Sequence, residues 1–182
     1  MSAQHSATHP TSKLALFWII GAVWFARSAQ SFTHPAFTDP QSAWDWCAVV
    51  SYSVALLALA VGLVVLARLV GGRIPLIASL VAATGATIAA VGNVIEDGLG
   101  RAWAGNAFYL PGSVLYLLGL IALTLAIATE RKGLLRLLTL VPAATLVGLM
   151  LLERGGGVLV LAAWGGLAIA CSRTRVSPAA RG

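Results

Sequence analysis

Asn93, Glu96, Asp97 and Arg101 bring an amide, two carboxylates and a guanidinium within about two helical turns, at the end of a long apolar run. Nowhere else does the chain gather so much polarity against so much hydrocarbon. Paired carboxylates do acid–base work when one keeps the other protonated near neutral pH. Adjacent residues on a helix point roughly 100° apart, so Glu96 and Asp97 make a poor dyad with each other. Either would need a partner from another helix, such as Asp45. The same groups also suit the binding of a charged ligand, or a polar network that locks helices together. Asn93, Asp97 and Arg101 recur at i, i+4 and i+8 and share a face if the helix runs that far; Gly98 and Gly100 argue for an earlier stop.

Other chemistries find less support. A zinc site needs three or four His, Cys or carboxylate ligands; on the outer side His34 is the one histidine and Cys47 the lone nearby thiol, and His34 with Asp39, Glu96 and Asp97 could meet a cation, but their spacing carries no ligand signature. No metal and no cofactor is expected. No apolar segment holds a histidine, which leaves haem without axial ligands. Glu96-Asp97-x-x-x-Arg101 resembles the EExxxR motif of the CAAX-type intramembrane proteases, but that family also uses histidines on later helices, and none follows His34. Pro111-Gly112-Ser113 offers a serine without a histidine partner. There is no aspartate-rich prenyl-diphosphate element and no glycine-rich nucleotide loop, so no catalytic residue is assigned.

The elements that must position these groups follow from composition. Hydrophobic residues make up 59% of the 182 residues and charged residues only 10%, against about 25% in soluble domains. With a mean hydropathy of +0.89, the chain reads as an all-α membrane protein. The net charge of +6 is spread between the apolar runs and forms no single face, so no nucleic-acid partner is expected. Arginine dominates the basic residues, and Ala and Gly are abundant, as in proteins of GC-rich bacteria. Cys47 and Cys171 fall at opposite ends of the expected bundle, which precludes a disulfide between them.

A spanning helix needs about 20 mostly apolar residues. Six segments are expected, near 14–31, 45–68, 74–98, 110–130, 133–152 and 155–172, between a polar tail at 1–13 and a basic tail at 173–182. Pro111 should lie in the first turn of the fourth, and Pro142 should kink the fifth. The first segment is uncharged only from Leu14 to Ala26. It could pass for a signal peptide, but no small-x-small cleavage site follows, so it is read as a retained span. With the amino terminus in the cytoplasm, nine basic residues lie inside and three, Arg27, Arg101 and Arg154, outside. This positive-inside bias predicts a six-helix bundle with both termini cytoplasmic, in the plasma membrane and, given the composition, a bacterial inner membrane. Trp44, Trp46, Trp103 and Tyr109 then flank the outer boundary.

Depth sharpens the candidate site. If Leu76 lies at the inner boundary, Ile95 lies near the outer one, Glu96 and Asp97 are interfacial, and Asn93 is about one turn inside. Leu14 to Arg27 rises only about 20 Å, which leaves Arg27 within the hydrocarbon and predicts an ion pair with Asp97 or Glu96. The loop from Ser28 to Ala43, with His34 and Asp39, is placed to act as a lid. Ala78, Gly85 and Gly92 recur every seven residues and Ala82, Ala86 and Ala90 every four, marking the third segment as a central helix in close contact with others.

In size, span number and orientation the chain is similar to the substrate-binding subunits of energy-coupling-factor vitamin transporters, and Ala22-x-x-x-Ala26 resembles their small-residue coupling motif. That resemblance implies a ligand pocket on the outer side, beneath the first outer loop. Three readings follow. The favoured one is a structural or accessory protein that binds other membrane proteins through its small-residue faces, in contact with the lipid bilayer. The alternative is a solute-binding or transport-related protein, with a small solute or lipid headgroup held among Arg27, Asp45, Asn93, Glu96, Asp97 and Arg101. The third is an intramembrane enzyme using Glu96 or Asp97 as acid or base.

Overall fold

The computed structural model describes residues 10–33, 40–130 and 132–173. They form six α-helices and no strand: α1 (Pro10–Thr33), α2 (Ala43–Val70), α3 (Arg73–Asn93), α4 (Ala102–Glu130), α5 (Leu140–Met150) and α6 (Gly157–Arg173). Each helix packs on the next in sequence, and α6 closes on α1. Short connections turn each helix back along its predecessor, giving an up-and-down bundle. One end of that bundle therefore gathers the C-termini of α1, α3 and α5 and the N-termini of α2, α4 and α6.

Four stretches are long and apolar enough to cross a membrane: Lys13–Phe32, Ala43–Val70, Arg73–Gly98 and Ala102–Glu130. Arg136–Met150 and Gly157–Ser172 are shorter. Two helices run past the expected bounds. α1 spans Pro10–Thr33 against the expected 14–31, and α4 starts at Ala102 rather than Leu110, which makes Pro111 an interior residue. Hydropathy marks where a helix is dry, and both helices extend beyond that limit through polar or exposed residues such as Gln30, Trp103 and Asn106. The expected kink at Pro142 is replaced by a change of helix type. Gly133–Thr139 is a 3₁₀ helix, and the α-helix takes over at Leu140, so Pro142 falls in a first turn, where its missing N–H costs little.

The tightest seam joins α3 to α4. A Cβ on Gly85 would strike the backbone of Gly112 and Tyr116, and one on Gly92 would strike the backbone of Tyr109. From the other side, Gly112 and Gly119 lie against the backbone of Ala89 and Ala82. The small-residue stripe expected on the third helix is thus occupied by α4 of the same chain. Elsewhere Phe17 stacks on Trp164 at 5.6 Å, and the Trp164 indole donates to Thr145 Oγ1 at 2.9 Å. That bond satisfies the one polar atom of a fully buried ring.

Candidate functional site

The end of the bundle described above holds a cavity of about 970 Å³, lined by Arg27, Ser31, Tyr52, Asn93, Glu96, Asp97, Tyr109 and the α5–α6 turn at Leu149, Met150, Leu152, Glu153 and Arg154. Ligand pockets run from about 300 to 1,000 Å³, so the space admits a small molecule. All six helices or their connections contribute to this end.

α3 does not stop at Asn93. Val94–Gly98 continues it as a single π turn, closed by the Leu99 amide on the Val94 carbonyl at 3.0 Å. Gly100, at φ 62°, then reverses the chain, and the Arg101 amide reaches the Ile95 carbonyl at 3.1 Å. Such turns widen a helix locally and are frequent at functional sites. Asn93, Glu96 and Asp97 stand at i, i+3 and i+4 and line one cavity together. The start of α4 holds the turn in place: Gly105 presses so closely on the Glu96 backbone that a Cβ there would have no room.

Asn93 is buried. Its Nδ2 donates to the Val49 carbonyl at 3.2 Å and to Ser53 Oγ at 3.0 Å, and Ser53 Oγ donates to the Ala90 carbonyl at 3.4 Å. Asn93 thus ties α3 to α2 at the cavity wall, because an amide facing hydrocarbon needs partners.

Arg27 makes no ion pair among the described residues, contrary to the pairing expected from its depth. Its Nη1 donates to Ser31 Oγ at 2.9 Å, its guanidinium lies 5.6 Å from the Tyr52 ring centroid, and its Nε is buried without a partner. The cause is the order of the helices. α1 is flanked by α2 and α6, so the end of α3 stands across the cavity rather than beside it. Asp97 and Glu153 remain within electrostatic reach of Arg27, and Asp97 also feels Glu96 beside it.

Two further candidates lie elsewhere. Asp45 forms the capping box of α2: its Oδ2 accepts from the Ser42 amide at 2.8 Å and the Gln41 amide at 3.0 Å, and its own amide donates to Ser42 Oγ at 3.2 Å. Arg101 is exposed in the connection before α4 and does not line the cavity. The lid candidates His34 and Asp39 lie outside the described residues.

The structure adds four residues that the sequence reading did not assign to the site. Tyr52 faces Tyr109 with hydroxyls 3.0 Å apart, Ser31 supports Arg27, and Glu153 and Arg154 enter on a short 3₁₀ turn. That turn is anchored by buried Ser28, whose Oγ donates to the Leu152 carbonyl at 2.6 Å. Adjacent opposite charges between two apolar runs were visible at Glu153-Arg154. Only packing, however, turns that pair toward the other end-of-helix charges. Among the described residues no group of three His, Cys, Asp or Glu is placed to hold a metal ion. Comparison with protein-family models, with curated proteins and with solved structures found no match.

Proposed function

We propose that the chain is a six-span protein of the cell membrane, of bacterial inner-membrane type, with both termini cytoplasmic. Its outer-end cavity binds a small polar ligand that carries charges of both signs. The observation that carries this reading is the cavity lining: the guanidinium groups of Arg27 and Arg154 face the carboxylates of Glu96, Asp97 and Glu153 around one space of about 970 Å³. Arg27, Glu96 and Asp97 are half-buried, while Glu153 and Arg154 stand exposed at the mouth; opposite charges set around one space without an ion pair among the described residues are suited to a ligand that bridges them.

The bundle's exterior supports the membrane setting. Val61, Ile77, Leu118 and Leu125 are each more than half exposed, a surface that hydrocarbon solvates and water does not. The two shorter segments come close to the hydrocarbon thickness of about 30 Å. A 3₁₀ helix rises about 2.0 Å per residue and an α-helix about 1.5 Å, so Gly133–Met150 extends about 30 Å, and α6 about 26 Å. The nine-to-three distribution of basic residues supports a cavity on the outer side.

The accessory reading loses its main support, because the small-residue face of α3 is already covered by α4. The enzyme reading asks for an acid on an apolar chamber wall, and this wall is polar and of mixed charge.

The test is binding to purified protein, followed by calorimetry with glycerophosphoethanolamine and with free amino acids. Saturable binding is expected, lost in both Arg27→Gln and Asp97→Asn while both variants still accumulate and elute as the parent does. If these variants fail to accumulate in the membrane, the cluster is structural and the proposal fails.

A further inference from the structure

A second space of about 610 Å³ lies on the outside of the bundle between α1 and α2, and its walls are almost entirely apolar. Val23, Trp44, Trp46, Val50 and Val54 line it, and so does Arg27. Arg27 therefore lines both this groove and the polar cavity. Polar and aromatic contacts join the two helices here. The Arg27 guanidinium lies over the Tyr52 ring, Trp24 meets the same ring edge-on at 5.8 Å, and Ser51 Oγ donates to Gln30 Oε1 at 3.3 Å. The guanidinium donates to Ser31 Oγ on its own helix, and its buried Nε has no hydrogen-bond partner among the described residues.

A polar chamber and a lipid-facing apolar groove that share one arginine fit an amphiphile. Resting on the reading of the cavity as a binding site, we infer that the ligand is a membrane phospholipid with a zwitterionic, primary-ammonium headgroup. It enters sideways between α1 and α2: the headgroup lies in the cavity, and one acyl chain stays in the groove.

Charge selects the headgroup. The phosphate diester meets Arg27 and Arg154, and the ammonium meets Glu96, Asp97 and Glu153. An anionic headgroup without an amine leaves three carboxylates uncompensated. A quaternary ammonium has no N–H to donate and seeks an open aromatic face, but the face of Tyr52 is covered by Arg27. The groove also has the right placement. It follows α2 from Trp46 to Val54, about 12 Å of helix, inward from tryptophans that sit at headgroup level.

The test uses the full chain in detergent and native mass spectrometry. The probes are dioleoylphosphatidylethanolamine, dioleoylphosphatidylglycerol and soluble glycerophosphoethanolamine. The ethanolamine lipid is expected to be retained at least tenfold better than the glycerol lipid and the soluble headgroup. Val54→Trp and, separately, Val50→Trp fill the groove from its half-exposed side. Each should lower lipid retention about tenfold and leave binding of the soluble headgroup as in the parent. If the soluble headgroup binds as tightly as the lipid and both tryptophan variants bind lipid normally, the lateral-entry inference is overturned and the cavity reading stands. Equal retention of the glycerol lipid overturns the headgroup assignment. If neither ethanolamine compound binds, the inference falls, and the cavity reading falls with it only if free amino acids also fail to bind in calorimetry.

Discussion

The Arg27 guanidinium lies 5.6 Å from the centre of the Tyr52 ring, and the Tyr52 hydroxyl lies 3.0 Å from that of Tyr109. One side chain thus links α1 to α4 through α2, with its ring serving one neighbour and its hydroxyl the other. Tyr52→Phe removes only the hydroxyl, at a cost of about 1 kcal/mol. Tyr52→Leu also removes the surface under Arg27 and the edge contact with Trp24, for a total of about 2–4 kcal/mol. Thermal melts in detergent should rank parent, Tyr52→Phe, Tyr52→Leu in falling order. A leucine variant as stable as the phenylalanine one would show that the ring has no such role.

Asn93 gives a second ranking. Asn93→Ala loses two interhelical hydrogen bonds, which in membrane bundles average about 0.6 kcal/mol each, so about 1 kcal/mol is expected. Asn93→Asp keeps the shape but aims a carboxylate oxygen at the Val49 carbonyl and loses both donors. At neutral pH it should be less stable than Asn93→Ala. Equilibrium unfolding in sodium dodecyl sulfate reads the difference, and the reverse order would mean that Asn93 does not act as a donor to α2.

These residues also mark how far the sequence was legible. Asn93, Glu96, Asp97 and Arg27 stood out because polarity in an apolar run is conspicuous, and four of the helices follow directly from length and hydropathy. What failed was the partner of Arg27. Depth argued that the charge needed company, but it did not reveal that α1 has α2 and α6 as neighbours, which substitutes an aromatic ring for a carboxylate. Asp45 misled for a local reason: as the third residue after Ser42 it is a capping-box residue, a pattern that was readable from Ser42-x-x-Asp45 alone. The π turn could not be read, because five residues in α or π form share one hydropathy.

The α3–α4 seam and the outer face of α6 predict opposite tolerance. Gly92→Ala places a methyl against the Tyr109 backbone, which has no flexible end to move. It should cost more than about 2 kcal/mol, at the upper range for overpacking, and deplete the protein from membranes. Gly166 has nothing within 4 Å, so Gly166→Ala should be neutral or gain up to about 1 kcal/mol from helix propensity. Quantitative immunoblots of membrane fractions compare the two, and equal accumulation would contradict the close approach.

Orientation has a direct chemical reading through the two thiols. Cys47 is exposed one turn into α2, at the cavity end, and Cys171 lies near the end of α6, at the opposite end. With the cavity outside, a membrane-impermeant maleimide applied to intact spheroplasts should modify a Cys171→Ser variant through Cys47. A Cys47→Ser variant should react only after the membrane is permeabilised. The opposite labelling pattern would place the cavity on the cytoplasmic side and discard the proposed topology.

Gly105 separates the shape of the site from its charge. It has no side chain to offer a ligand, yet it is the residue on which the Glu96 backbone rests. A methyl group there must push the π turn away from α4, because the opposing atoms are Glu96 backbone and Cβ rather than a mobile side-chain end. Glu96 and Asp97 then turn away from Arg27 and Arg154 while every charge is retained. Gly105→Ala is therefore expected to weaken glycerophosphoethanolamine binding at least tenfold, about 1.4 kcal/mol, in a protein that still accumulates. Calorimetry on the purified variant checks this. Unchanged affinity would mean that the carboxylates bind without a fixed geometry, and that the π turn is incidental to the site.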